Sequence, residues 1–299
     1  MDNLIDGRAH AADLNRETAV RVAGLAAQGV QPHIVFIRVG EDPASRVYVG
    51  MKDKTARELG LRATTRVLDA AAPEAELLAL LIRCNAAPDV HGILVQAPLP
   101  PHISTPRVFA AVDPAKDVDG FHPVNFGKLM LGDDTGFMPC TPAGIHELLL
   151  RTKTRTAGAE VVVLGRGNIV GKPMAAILMQ KGRGADATVT VVHSRSRHVA
   201  EHCRRADILI AAMGVPNFVK ADMVKPGAVV LDVGVNRIAD PAAKNGSRLV
   251  GDVDFTAVQP LAGRITPNPG GVGPMTIAVL MRNTVLAAER LARGAQSAG

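Results

Sequence analysis

No tryptophan occurs in the 299 residues, and only one tyrosine. Aromatics total 3%, so any core must be built from Ala, Val, Leu and Ile. The aromatic platforms on which single-strand nucleic-acid binders stack bases are missing as well. Cysteine is nearly as scarce. Cys84, Cys140 and Cys203 stand far apart with no C-x-x-C, which argues against a disulfide framework and for a reducing compartment, the cytoplasm. No apolar run approaches the ~18 residues of a membrane span. The opening MDNLIDGRAHAADL has neither the basic start and apolar stretch of a signal peptide nor the acid-poor bias of a transit peptide.

What is present suits a soluble α/β protein. Hydrophobic residues make up 47% and charged residues 21%, a globular balance, and the length allows two domains. The net charge of +6 favours anionic partners such as phosphates and carboxylates. Its local clusters (Arg151, Lys153 and Arg155; Arg195 and Arg197; Arg204 and Arg205) are taken singly as solvated faces.

Strand-like and helix-like segments alternate along the chain. HIVFIRV (33–39) is a β-branched apolar run. A helix over 43–59 follows, with Asp42 as its cap, Pro43 in its first turn and Gly60 at its left-handed end. TTRVLD (64–69) reads as a strand, 72–85 as a helix and GILVQAPLP (92–100) as a strand closed by proline. The second half repeats the pattern with EVVVLG (160–165), TVTVVHS (188–194), ADILIAAMG (206–214) and GAVVLDVG (227–234), short continuous runs of the kind buried on both faces of a parallel sheet. A final helix is expected over 273–294, opened by Pro274 and stopped by Gly294. Loop chemistry near 137–145 and 265–274 marks the boundaries. The expected fold is therefore α/β in two domains: 1–140, to which the helix 274–299 returns, and a Rossmann-type domain over 141–273.

After the strand 160–165 comes GRGNIVGKP. Gly165, Gly167 and Gly171 would let backbone N–H groups approach a pyrophosphate at a helix N-terminus. The spacing is G-x-G-x-x-x-G, one residue longer than the usual fingerprint. An NAD binder usually carries an acid at the end of the next strand; here that position reads HSRS (193–196). Ser194, Arg195 and Arg166 suit a 2′-phosphate instead, so NADP is favoured.

The sole tyrosine, Tyr48, lies one helical turn before Lys52, so phenol and ammonium share a face. Spacing alone is also satisfied by an aromatic ring packing on an alkyl stem. A Y-x-x-x-K pair beside a nicotinamide fold suggests the short-chain dehydrogenases, but there the pair follows the glycine turn, whereas Tyr48 precedes Gly165 by 117 residues. VGEDPASRVYVGMKDK (39–54), GILVQAPLP (92–100), KDVDGFHPVNFGKL (116–129), PCTPAGI (139–145), VLGRGNIVGKP (163–173), DVGVNR (232–237), GDVDF (251–255) and PGGVGPMT (269–276) together resemble the bifunctional methylenetetrahydrofolate dehydrogenase/cyclohydrolase family, the FolD type, over nearly the whole chain. The resemblance implies two α/β domains, NADP on the second, a tetrahydrofolate substrate with or without a polyglutamate tail in the cleft between them, and a homodimer. It assigns Tyr48 to orienting the pterin, Lys52 to catalysis, Gln96 to holding the lysine and Asp119 to the pterin's amino-pyrimidine edge. Pro269, Gly270, Gly271, Pro274 and Thr276 border the folate, and Gly165, Arg166, Gly167, Ser194, Arg195 and Val235 fall where NADP binds. Three departures are visible. Gly167 stands where many members have Ser, Ala97 where Leu is commoner, and Asn268 where an apolar residue is frequent.

The chemistry implied by the resemblance separates the two reactions. Oxidising 5,10-methylenetetrahydrofolate removes a hydride and no proton, so it needs positioning above all. Hydrolysing the methenyl cation takes a proton from water and delivers one to nitrogen. A lysine of ordinary pKa, about 10.4, is a poor base for this; desolvation and a neighbouring cation would favour its neutral amine. A neutral Gln96 would leave that effect intact. Other patterns carry less. His198, His202 and Cys203 lack the H-E-x-x-H arrangement and are not expected to hold a metal; Cys140 lacks a visible activating base. A different NADP dehydrogenase, acting on a hydroxy or amino acid, is disfavoured by KDVDG and PGGVGPMT. Neither nucleic acid nor a membrane is an expected partner.

Overall fold

The computed structural model describes residues 3–241 and 246–297. In chain order the elements are α1 (Gly7–Ala26), β1 (His33–Val39), α2 (Pro43–Glu58), β2 (Arg62–Leu68), α3 (Glu74–Ala86), β3 (Gly92–Val95), α4 (Thr105–Ala110), α5 (Pro123–Leu131), α6 (Cys140–Arg151), β4 (Glu160–Leu164), α7 (Gly171–Leu178), β5 (Thr188–Val192), α8 (Val199–Arg205), β6 (Ile208–Ala211), β7 (Val229–Asp232), β8 (Asn236–Ala239), β9 (Ser247–Val250), α9 (Phe255–Val258), β10 (Arg264–Ile265) and α10 (Val272–Ser297). They group into two compact units: Ala12–Cys140 with Ile277–Gly299, and Met1–Ala11 with Thr141–Thr276. Most of α10 thus joins the first of these. The chain's opening residues join the second, where Ile5 N–H donates to the Ile265 carbonyl at 2.8 Å and Leu4 bridges Ile265 in parallel. No helix among the described residues is long and apolar enough to cross a membrane.

The unit containing Ala12–Cys140 is built on a parallel sheet of order β2-β1-β3. Every residue of β1 is buried, as its unbroken apolar run requires of a central strand. The core is aliphatic, with Ile37, Leu77, Leu81, Ile93 and Val108 all essentially inaccessible; each such side chain contributes roughly 1.5–3 kcal/mol of burial. Helix α2 starts where expected, since Asp42 Oδ2 accepts the Ser45 N–H at 2.7 Å and Pro43 occupies the first turn. Gly60 follows at φ +83°. The strand expected over 92–100 ends at Val95. Pro98, Pro100 and Pro101 have no N–H to donate to a ladder, and 96–100 runs as a loop through a cis Ala97–Pro98 peptide. Nor does Gly294 stop the last helix, which continues to Ser297; a helical glycine costs only about 1 kcal/mol.

Two buried histidines face each other at the amino ends of β1 and β3. His91 Nδ1 accepts the His33 N–H at 3.2 Å, and His33 Nδ1 meets the Asp89 carbonyl at 3.0 Å. Burial lowers the pKa of both; the neighbouring His33 further opposes protonation of His91, as Arg62 does that of His33. A base with a lowered folded pKa contributes stability that is complete above its unfolded value, ~6.5, and is lost as pH falls below it. The Asp232 carboxyl, raised to about 6, works in the opposite sense. The histidine contribution is therefore read by difference: between pH 7.5 and 5.5 the wild type should lose more denaturation free energy than His91→Asn. Parallel pH profiles in urea titrations would refute it.

The other unit carries a parallel sheet of order β10-β7-β6-β4-β5. From β4 the chain moves to β5 on one side, then returns to β6 on the other. That reversal makes a crevice at the carboxyl ends of β4 and β6, the topological switch point where doubly wound sheets bind ligands. Strands β4 and β6 are buried, as their sequences imply. Strand β5 is the exception: it lies at the edge and is partly exposed. An antiparallel ribbon, β8 with β9, stands apart from the main sheet.

Candidate active site and dinucleotide site

In the first unit, α2 presents Tyr48 and Lys52 one turn apart. Lys52 lies in line with buried Ser45, Val49 and Ala56 and is itself half-buried, while Tyr48 stands at the exposed border of that stripe. Tyr48 is 36% exposed, so its phenol is not spent on core packing. Lys52 Nζ donates to Gln96 Oε1 at 3.0 Å. The orientation of that amide is set from its other side, where Gln96 Nε2 donates to the Ala97 carbonyl at 2.7 Å. The loop that interrupts the expected strand at Val95 is thus what turns Gln96 towards the lysine.

The segment KDVDG divides its labour residue by residue. Lys116 is buried, and its ammonium donates to the carbonyls of Cys84, Asn85 and Ala87 at 3.3, 2.7 and 2.7 Å. It thereby satisfies the free end of α3, a task cations perform at helix C-termini. Burial lowers its pKa. Asp117 is buried and accepts the N–H groups of Phe121 and His122 and the Asn125 amide, so it braces the turn into α5. Asp119 is the acid left facing Lys52. Its carboxyl is pushed up by burial first, against the pull of the Lys52 ammonium, with Asp117 adding to the rise. The Cys140 thiol lies beside Asp119 and donates to the Val118 carbonyl at 3.3 Å. Burial and the Asp119 charge push that thiol well above its usual range, an environment that disfavours a thiolate nucleophile. Asn283 of α10 donates to the same Val118 carbonyl at 2.9 Å. Composition and motif did not mark Lys116 or Asn283 as fixing this segment, because both act on main-chain oxygens far away in sequence.

In the second unit the glycine turn sits at the switch point. Gly165 adopts φ +130°, and a Cβ there would lie 2.2 Å from the Ala212 carbonyl oxygen. At Gly171, the first residue of α7, a Cβ would lie 2.2 Å from the Gly165 oxygen. These two glycines are required by close backbone approach. Gly167 is different: it is exposed and a Cβ would meet nothing within 4 Å, so a serine would fit there. Arg166, Ser194, Arg195 and Val235 are exposed along this carboxyl edge. No carboxylate follows β5, where the turn is closed instead by His193 N–H donating to Ser196 Oγ at 3.0 Å. The glycine cradle and exposed guanidinium groups fit a phosphate-bearing dinucleotide. The TPNPGG segment belongs to this unit too. A Cβ on Gly271 would lie 2.6 Å from the Thr266 Cβ, Gly270 takes φ +113°, and Asn268–Pro269 is cis. Thr276 meets Thr141 hydroxyl to hydroxyl at 3.1 Å; Pro274 lies in the first turn of α10.

Fold and site together define a two-unit α/β oxidoreductase, one unit carrying a lysine-centred polar constellation and the other a dinucleotide crevice. Residues 5–119 match the catalytic domain of tetrahydrofolate dehydrogenase/cyclohydrolase, and residues 139–292 match its NAD(P)-binding domain. The bifunctional protein FolD of Desulfotalea psychrophila is 58% identical over 261 residues, 87% of this chain and 88% of that one. Among solved structures, the bifunctional FolD enzyme of Campylobacter jejuni is 42% identical with a TM-score of 0.92, covering 97% of this chain and 99% of that one. The Trypanosoma brucei dehydrogenase-cyclohydrolase, solved with NADP and an inhibitor, is 39% identical with a TM-score of 0.92 over 98% and 99% of the two chains. The chain belongs to the tetrahydrofolate dehydrogenase/cyclohydrolase family.

Proposed function

We propose that this protein oxidises 5,10-methylenetetrahydrofolate to the methenyl form and hydrolyses that to 10-formyltetrahydrofolate. NADP, when bound, supplies the hydride acceptor for the first reaction. The observation that carries the reading is the amine of Lys52 held at 3.0 Å by the neutral Gln96 oxygen, with Asp119 beside it. Gln96 orients the Lys52 nitrogen without adding a second negative charge to that of Asp119.

In the hydrolytic step water adds to the cationic carbon and its proton passes to the Lys52 amine. The ring C–N bond then breaks as the ammonium gives that proton to the departing nitrogen. The hydroxyl proton leaves as the formyl C=O forms and passes to solvent, so the cation and water give the neutral formyl product and one proton. Tyr48, exposed one turn earlier, offers a ring and hydroxyl for orienting the pterin. Asp119 accepts from the amino-pyrimidine edge. Pro269, Gly270, Gly271, Pro274 and Thr276 border the folate. Gly165, Gly167, Arg166, Ser194, Arg195 and Val235 hold the cofactor, with the guanidinium groups reading the 2′-phosphate.

Location in the cytoplasm is supported by three reduced, buried cysteines. Assembly as a homodimer is supported by the β8–β9 ribbon, whose outer edges pair with no other strand among the described residues; two-stranded ribbons are marginal alone. A spectrophotometric assay tests the activity. Methylenetetrahydrofolate with NADP should yield reduced cofactor, and methenyltetrahydrofolate alone should be consumed. Absence of both would sink the reading; equal use of NAD would sink the 2′-phosphate assignment.

A further inference from the structure

Two carboxylates with no part in the chemistry above are buried together in the dinucleotide unit. Asp232 ends β7 and is 3% exposed; Asp252 follows β9 and is 0% exposed. Asp232 Oδ1 accepts the N–H groups of Gly234 and Asp252 at 3.0 and 2.9 Å, and its Oδ2 accepts that of Val253 at 3.1 Å. Asp252 Oδ2 accepts from Met213 and Gly214 N–H at 2.6 and 2.9 Å, while Oδ1 accepts from the Asn236 amide at 2.9 Å. Room for these oxygens is made by glycine. A Cβ on Gly234 would lie 2.2 Å from Asp252 Oδ1, and one on Gly251 would lie 1.7 Å from Asp232 Oδ2. Burial, with Asp252 adding, raises the Asp232 carboxyl to about 6 against the three N–H groups that lower it. A like-charged pair this deep is costly to the fold, which turns attention to what it holds.

The loops it holds are those of the cofactor crevice. Met213 and Gly214 follow β6, and the adjoining Ala212 carbonyl is the group packed against Gly165. Gly234 and Asn236 flank the exposed Val235 after β7. The segment after β10 is tied in as well. Thr266 Oγ1 accepts the Asp232 N–H at 2.8 Å, and the Asn268 amide donates to the Gly234 carbonyl. Asn268 is thus a polar tie between the segment after β10 and the loop after β7.

We infer that Asp252 is a positioning residue for the dinucleotide, acting through the Met213 and Gly214 N–H groups on one side of the crevice and Asn236 on the other. The inference rests on the reading of this unit as the NADP site. Asp252 touches no reacting atom. Its carboxylate fixes the spacing between the loop that buttresses the glycine turn and the loop that carries Val235.

The two activities separate this role from plain stability, because the hydrolytic one uses no dinucleotide. Asp252→Ala takes the acceptor from three part-buried donors, the Met213 and Gly214 N–H groups and the Asn236 amide, and NADP affinity, read by calorimetry, should fall about tenfold or more. Methenyltetrahydrofolate hydrolysis should stay within about twofold of wild type, since Lys52, Gln96 and Asp119 lie in the other unit and the folate-bordering segment after β10 is tied through Asp232 and Gly234 rather than Asp252. Asp252→Asn guards against loss of folding. Its oxygen can still accept from Met213 and Gly214, and Asn236 can rotate to offer its own oxygen, so dinucleotide binding should recover most of the loss. NADP binding by Asp252→Ala equal to wild type would overturn the inference. So would a parallel fall of both activities in Asp252→Asn, which would make the pair a stability element alone. A wild type that neither binds NADP nor turns over folate would remove the functional reading and this inference with it.

Discussion

Lys52→Met should abolish methenyltetrahydrofolate hydrolysis while leaving measurable dehydrogenase activity. Methionine keeps the length and apolar stem of lysine but can neither accept nor return a proton. Loss of positioned acid–base catalysis costs roughly 10²–10⁴ in rate. Hydride removal from the methylene carbon requires no proton transfer, so what remains there measures positioning alone. Gln96, deprived of its 3.0 Å partner, is part-buried at the surface of the site and can turn to water, so folding should be little affected. Each reaction is followed by the absorbance of methenyltetrahydrofolate, formed in one and consumed in the other. Substantial hydrolysis by the variant would exclude Lys52 as the proton carrier.

Asp119→Ala should lose both activities together, with weakened folate binding, because both reactions use one pterin position. A collapse of the fold could imitate that result, but the electrostatics point the other way. The Asp119 carboxyl is raised by burial. An acid raised in the folded state penalises folding once ionised, so its contribution is lost as pH climbs from the unfolded value through the folded one. Removing it at neutral pH should therefore leave the thermal midpoint unchanged or slightly higher, apart from packing of the Cys140 thiol. The expected signature is a protein at least as stable as wild type with dehydrogenase and cyclohydrolase each down by about 10²-fold, the scale on which misplacing a substrate acts. Retained folate affinity would contradict the role.

Which parts were legible in the sequence follows from how local the signals are. The α2 start was readable because Asp42, Pro43 and Gly60 act within a turn of the helix they bound. The Tyr48–Lys52 face needed only the helical period. Gly165, Gly167 and Gly171 were read as room for a pyrophosphate, whereas the close approaches at Gly165 and Gly171 are to main-chain oxygens, and the partner at Gly165, the Ala212 carbonyl just after β6, is far away in sequence. Gln96 was placed in a strand that prolines end at Val95. Only the family resemblance singled out Asp119 in KDVDG; the residue pattern itself does not, because what separates Asp117 from Asp119 is the N–H groups of 121–122 and the Asn125 amide around one and Lys52 beside the other. Asp232 and Asp252 were hidden for the same reason: their partners are main-chain N–H groups, which every residue type except proline supplies.

That indifference of the main chain to residue type has a consequence at Lys116. Its three acceptors are carbonyls of Cys84, Asn85 and Ala87, and a carbonyl is the same whatever side chain it accompanies. As far as Lys116 is concerned, the last turn of α3 is therefore free to change its residues under its other constraints, packing of Cys84 and the bonds of the Asn85 amide to Ala111 and Asp113. Lys116 has no such freedom: its one nitrogen meets all three carbonyls, whereas an arginine would present a planar fork and a neutral residue would strand the helix end. Substitutions at Lys116 would therefore injure the enzyme from outside the site. They would act by letting the strand-end segment that carries Asp119 drift, and a survey of activity alone would mistake the helix cap for a catalytic residue.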